Sequence, residues 1–245
     1  KARELGVAND RMVYLHGCAD ANDIWNVSER VNYQSSPAVR TMGEKAFTMA
    51  GKTIDEIDYF DIYSCFPSAV QIACDELGLA HDDARGLTVT GGLPYFGGPG
   101  NNYVMHSIAT MMDVLRGNPG KFGLLNANGW FITKHSLGIY STKPLEEDWR
   151  REPPADYQQA ILDEIHPAFT ESPNGSATIE TYTVLHGREG VQRALVIGLL
   201  EDGTRFIAET PGDEKTLLQM MDREMLGASG TVTSGAEKNL FIPNF

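Results

Sequence analysis

Ile57-Asp58-Tyr59-Phe60-Asp61-Ile62-Tyr63-Ser64-Cys65-Phe66 is the stretch on which the fold assignment turns. Its aromatic and β-branched residues predict a buried strand over 57–63. The next residues, Ala69-Val70-Gln71-Ile72-Ala73-Cys74-Asp75-Glu76-Leu77-Gly78, carry apolar side chains at helical spacing and stop on a glycine. Strand, tight turn and helix place Cys65 near a helix N-terminus, where the partial positive charge of free N–H groups favours a thiolate. The competing reading makes Cys65 a small apolar plug, because free cysteine is among the most buried residue types.

Two further loops follow the same logic. Leu87-Thr88-Val89-Thr90 predicts a strand entering the glycine-rich residues 91–102, and residues 104–115 predict the helix that leaves them, with His106 in its first turns. Gly91, Gly92, Gly97, Gly98 and Gly100 let backbone approach a ligand or another loop closely, but they match no phosphate-binding fingerprint. A histidine in the position of His106 serves as a structural residue or as a base. Asn126-Ala127-Asn128-Gly129 reads as a third loop, and Leu137-Gly138-Ile139-Tyr140-Ser141 as a strand after it. Upstream, residues 11–17 predict a strand and residues 20–31 an irregular loop. Residues 37–50 predict a helix closed by Gly51, and Thr53-Ile54-Asp55-Glu56 has the form of a capping box. This alternation predicts a layered α/β fold.

The ordered set Asp61-Ile62-Tyr63-Ser64-Cys65-Phe66, then Gly91-Gly92-Leu93-Pro94-Tyr95-Phe96-Gly97-Gly98-Pro99, then Asn126-Ala127-Asn128-Gly129 resembles the C-terminal half of the thiolase superfamily. Its sterol-carrier-protein-type and thiolase-like type 1 branches are the most similar. The resemblance covers about the first 143 residues. It implies the C-terminal half of a layered α/β/α fold and an acetyl-CoA acetyltransferase-like role in acyl-CoA and lipid metabolism. It also implies coenzyme A or an acyl-CoA as ligand, with no tightly bound cofactor.

The departures from the family pattern bear on the chemistry. Tyr63 stands where the family has a histidine that binds the thioester oxygen; a phenol donates a hydrogen bond but does not become a cation near neutral pH. Gly98 stands where the imidazole of a Gly-His-Pro motif activates the nucleophile. Ala127 matches a cysteine of the late loop, or Asn126 does if the register slips by one. Cys65 keeps the family residue, an acid/base in the sterol-carrier-type branch. The implied catalytic residues are therefore Cys65, Tyr63, Asn128 and His135, the last as a stand-in imidazole for Gly98. The implied substrate-binding residues are Gly91, Gly92, Gly97, Gly98, Asn101, Asn102 and His106. The family's nucleophilic cysteine lies in the N-terminal half, so that half, in the same or a separate chain, is an implied partner. Cys18, at the end of an apolar run, reads as structural.

Residues 1–143 are thus expected to form a thiolase-like C-terminal domain and residues 144–175, with Pro144, Pro153, Pro154, Pro167 and Pro173, a linker. Residues 176–245 change character. Strands are expected over 177–186, 193–200 and 205–210, the last two joined by Glu201-Asp202-Gly203-Thr204, with a helix over 214–226 and a strand over 231–233. These predict a small OB-like β-barrel. Such barrels often hold nucleic acid, yet the net charge of −13 and the scattered aromatics Tyr182 and Phe206 argue against a phosphate-backbone partner. Three unpaired-looking cysteines point away from a disulfide framework or a metal site. No apolar run approaches a membrane span, so the expectation is a cytoplasmic chain, and its start at Lys1 suggests a fragment or subunit. Three functions stay open: half of an acyl-CoA-handling enzyme, a degenerate fold that binds CoA without carbon–carbon chemistry, and a partner-binding scaffold.

Overall fold

Four strands form the first sheet: β1 (Tyr14–Asn22), β2 (Tyr59–Asp61), β3 (Phe122–Gly129) and β4 (Lys134–Ser141), in the order β1-β4-β3-β2. The computed structural model describes residues 1–245 apart from Arg3 and Glu147. They divide into one unit of Lys1–Trp25 with Asn32–Glu164 and another of Asn26–Val31 with Ile165–Phe245. In the first unit β4 runs antiparallel to both β1 and β3, whereas β2 lies parallel to β3 with Asp61 beside Leu125.

Because side chains alternate along a strand, each face of this sheet finds its own helices. Ala19, Ala21, Phe122, Leu124, Leu137 and Ile139 pack into one core with α1 (Pro37–Ala50) and α2 (Pro67–Leu77). After a single turn, α3 (Leu93–Phe96), the helix α4 (Tyr103–Gly117) covers Leu125 on the other face with Met111 and Leu115. The short α5 (Gln158–Leu162) adds Ile161 to the first core, beside Tyr157. The result is three layers, helix on sheet on helix. Ser36 caps α1 by accepting from the Val39 N–H, and Gly51 ends it at a φ of 58°. Gly17 decides how closely α1 approaches: a Cβ there would run into the Ala46 carbonyl and the Ala50 side chain.

Three local expectations change. Residues 20–22, expected as loop, continue β1 because Asp20, Ala21 and Asn22 pair with Ser136, His135 and Lys134. Residues 126–129 are the end of β3 rather than a loop, in register with residues 134–137. Cross-strand pairing overrides the turn preference of Asn and Gly here. Residues 87–90 form no strand, since the Val89 and Thr90 N–H groups bond to the Asp61 carboxyl instead of a neighbouring strand.

The second unit is a closed barrel. β5 (Asn174–Gly187), β6 (Gly190–Leu200), β7 (Arg205–Glu209), β8 (Ser229–Thr233) and β9 (Leu240–Pro243) close in the order β5-β6-β7-β9-β8, with α6 (Glu214–Asp222) between β7 and β8. Five strands in this order, with a helix between the third and fourth, make an OB-like barrel. Ile179, Val196, Phe206, Val232 and Phe241 fill it, and Leu217 and Met220 of α6 join them. Arg205 is fully buried, yet it is saturated: its guanidinium grips both Glu180 oxygens at 2.6 Å and donates to the Ser28 and Arg30 carbonyls. This is why residues 26–31 fold with the barrel although their sequence neighbours belong to the first unit.

The tight contact at Gly17 sets a test of the packing. Gly17→Ala is expected to lower unfolding stability by about 1–3 kcal/mol through overpacking. Gly98→Ala, at a site facing open space with an ordinary φ, should stay within about 0.5 kcal/mol. Urea unfolding midpoints of the two variants measure the difference.

Candidate functional site

Asp61, buried at the end of β2, gathers the loops around it. Its Oδ2 accepts from Thr88 Oγ1 at 2.7 Å and from the Val89 and Thr90 N–H groups at 3.1 and 3.2 Å. Its Oδ1 accepts from Ser107 Oγ at 2.8 Å and Tyr103 OH at 3.0 Å. One buried carboxyl thus fixes both the entry to the glycine-rich segment and the first turns of α4. Ser64 Oγ accepts from the Leu93 N–H at 3.0 Å, and the Tyr63 N–H donates to Asn126 Oδ1 at 2.7 Å. Gly92, at a φ of 78°, is required at this junction, because a Cβ would come within 2.8 Å of Ser64 Oγ.

The turn so held presents Cys65 to a cavity of about 560 Å³, lined among others by Tyr63, Asn101, Asn128, Trp130 and His135. That volume is within the range of small-molecule sites. Cys65 is half-buried, and the Asn128 amide Nδ2 donates to its Sγ at 3.3 Å. Asn128 Oδ1 is buried with no hydrogen-bond partner among the described residues. Directly across the β3–β4 ladder stands His135, also buried, with Nε2 3.4 Å from Asp23 Oδ2. Asp23 is itself held by Ser36 Oγ at 2.5 Å and the Ala38 N–H at 3.1 Å. The start of α1 therefore orients the carboxyl beside the imidazole.

The four residues assigned from the sequence to catalysis, Cys65, Tyr63, Asn128 and His135, share this cavity, as does Asn101. The other expected ligand contacts lie elsewhere. Gly91 and Gly92 serve the loop junction, and a Cβ at Gly97 or Gly98 meets nothing within 4 Å. The close approach expected of the glycines thus occurs at Gly91 and Gly92 alone among these four. Asn102 and His106 pair with each other at 3.1 Å, with the His106 ring 5.3 Å from Phe96. Asp61 and Asp23 escaped the sequence reading. Asp61 carried a signal, an acid within an apolar strand run; Asp23 carried none, lying in an Asn- and Asp-rich stretch.

Burial raises the Tyr63 phenol above its ordinary pKa, with the neighbouring Cys65 adding to it, so its hydroxyl keeps the proton and remains a donor. Burial likewise raises the Cys18 thiol, which lines a smaller cavity of about 200 Å³ with Tyr140 and Arg151. Cys74 is fully buried on α2, and its thiol is pushed up to about 11 by burial and then by Asp75 and Asp83. Among the described residues, no group of three His, Cys, Asp or Glu side chains is arranged to hold a metal ion, and no helix is long and apolar enough to cross a membrane. The arrangement at Cys65 offers a sulfur, two neutral donors and a carboxyl-backed imidazole. That set suits a carbonyl or thioester group.

Comparisons with known proteins bear on the family and the fold. A thiolase C-terminal domain-like family profile matches residues 19–102, and the profile of the thiolase-like protein type 1 additional C-terminal domain matches residues 156–237. The chain is similar to a monomeric SCP2-thiolase like protein type 1 from Mycobacterium smegmatis, at 43% identity and a TM-score of 0.90. That match covers 98% of this chain and 52% of the other, so the chain spans about half the length of that protein. A peroxisomal 3-ketoacyl-CoA thiolase of Saccharomyces cerevisiae overlaps at 16% identity and a TM-score of 0.42, over 53% of this chain and 34% of that one. No curated protein matches.

Thiol accessibility provides a direct check. Brief iodoacetamide treatment at pH 8 followed by peptide mass spectrometry is expected to label Cys65 first. Cys18 should follow more slowly, because burial raises its thiol. Cys74 should stay unlabelled until the chain unfolds, since a thiol with a pKa near 11 holds almost no thiolate at that pH. Labelling of Cys74 ahead of Cys65 would show the Cys65 turn to be closed.

Proposed function

Because this chain belongs to the thiolase superfamily, with the additional C-terminal domain of thiolase-like protein type 1, we propose that it binds coenzyme A or an acyl-CoA thioester in the Cys65 cavity without performing thiolase carbon–carbon chemistry by itself. The convergence of Cys65, Tyr63, Asn128 and His135 on one cavity carries this reading. The thioester oxygen would take hydrogen bonds from the Tyr63 phenol and the Asn128 amide, both neutral. Neutral donors hold a ground-state carbonyl well but stabilise a developing oxyanion less than a cation does. Gly98, in the position that matches the family's activating imidazole, offers no base, and its surroundings are open.

Calorimetry tests the binding. The chain is expected to bind CoA with micromolar affinity, about 8 kcal/mol of free energy. Tyr63→Phe removes a donor that only the thioester uses. It should therefore weaken acetyl-CoA by a factor of about 3–10, as one hydrogen bond is worth, and leave free CoA unchanged. No thiolysis of acetoacetyl-CoA is expected from this chain. Absence of CoA binding would favour the scaffold reading, and turnover would restore the enzyme reading.

The contact between His135 and Asp23 favours a second, narrower activity. An imidazole beside a carboxyl can take or return a proton, and it stands across the ladder from the amide that touches Cys65. Exchange of the acetoacetyl-CoA α-protons in D2O, followed by NMR, is the expected readout. His135→Gln should abolish exchange while CoA affinity persists. Equal exchange in the variant would remove His135 from the chemistry.

A further inference from the structure

The tip of the β3–β4 hairpin holds two bulky residues in a strained backbone. Trp130 and Ile132 have φ of 60° and 55°, a left-handed backbone that bulky L-residues adopt at a cost and that clusters at ligand sites. The strain leaves Trp130 64% exposed, beside Phe131 at 64% and Trp25 at 58%. Apolar rings gain nothing from standing in water, so the conformation serves something other than the core. Trp25 and Trp130 meet edge to face with centroids 6.1 Å apart, and Lys134 Nζ lies 6.0 and 5.9 Å from their ring centroids. Among the described residues, no carboxylate forms an ion pair with Lys134, in a chain of net charge −13.

We propose that this tip is a nucleotide subsite, in which a purine ring stacks on the Trp130 indole and the attached phosphates meet Lys134. The inference rests on the CoA reading above and extends it. The reasons are physical. An ammonium over both indoles repels a cationic guest, which excludes the methylammonium chemistry that aromatic cages otherwise favour. The same ammonium attracts an anion, while the exposed indole face attracts another π-system. A nucleotide carries both groups on one molecule. Trp130 and Lys134 also line the Cys65 cavity, so a ligand held at the tip is continuous with the cavity that contains Cys65.

Calorimetry on the full chain with three probes separates this from the CoA reading: CoA, ADP as the nucleotide alone, and pantetheine as the thiol arm alone. Trp130→Ala is expected to weaken CoA by about tenfold, the loss of one base–aromatic stack, and to leave pantetheine unchanged. Trp130→Phe should keep most of the affinity. Lys134→Gln, which leaves the backbone strain untouched, should weaken CoA and ADP together and flatten the dependence of CoA affinity on salt. Circular dichroism and melting temperature report whether each variant folds. Unchanged CoA affinity in both Trp130→Ala and Lys134→Gln overturns the subsite while the CoA reading survives. ADP binding that needs Trp130, with no binding of pantetheine and no gain in affinity of CoA over ADP, upholds the subsite and overturns the acyl-CoA reading. Failure of all three probes overturns both.

Discussion

A carboxyl group inside a protein has to be surrounded by donors, and the Asp61 carboxyl organises the site because the chain meets that demand from two directions. A buried acid without partners costs several kcal/mol. Thr88, Val89 and Thr90 answer from the glycine-rich segment, Tyr103 and Ser107 from α4. β2 itself contributes only three residues to the sheet, so its backbone pairing alone does not place the Cys65 turn. Asp61 supplies the missing constraint at the point where the strand ends and the turn begins. Asn126 adds a second tie by accepting from the Tyr63 N–H.

Held in this way, the Cys65 turn lies beside two neutral donors, the Tyr63 phenol and the Asn128 amide, in a cavity that Lys134 also lines. A cation beside a bound carbonyl oxygen would favour charge build-up; a phenol and an amide favour the uncharged carbonyl. The high pKa of the Tyr63 phenol reinforces this, since burial that disfavours the phenolate keeps the donor in place. His135 follows a different logic. It is buried against Asp23, whose orientation comes from Ser36 and Ala38 at the start of α1, so a helix that forms the core also supports the site.

The barrel solves a similar problem with an ion pair. Arg205 is buried within β7, where an unpaired guanidinium would be prohibitive, and Glu180 together with the Ser28, Arg30 and Val31 carbonyls satisfies it. A buried pair of this kind contributes little net stability compared with apolar packing, but it fixes which segment may occupy the position. Residues 26–31 are few and mostly polar, and none of them belongs to the apolar core of the barrel. Hydrogen-bond geometry to Arg205 is what makes them part of that unit.

The sequence by itself determined the local elements whose signals lie within a few residues. The helix over 37–50 with its Gly51 cap, the helix after Cys65 ending at Gly78, and the hairpin around Asp202-Gly203 all depend on caps, turn residues and short-range periodicity. It also determined the barrel class, because several β-rich runs around a hairpin leave few alternatives. Tertiary structure decided the rest. The Asn126-Ala127-Asn128-Gly129 run looks like a loop by composition and is a strand because β4 pairs with it. Residues 87–90 look like a strand and are not, because a distant carboxyl takes their N–H groups. β9 was not legible, since four residues near the chain end become a strand only by completing the barrel. Cys65, Tyr63, Asn128 and His135 could be named from the chain, but their meeting at one cavity, and the carboxyls of Asp61 and Asp23 behind them, arise from contacts between residues far apart in sequence. No local pattern encodes those contacts; they exist only once the sheet has brought the strands into register.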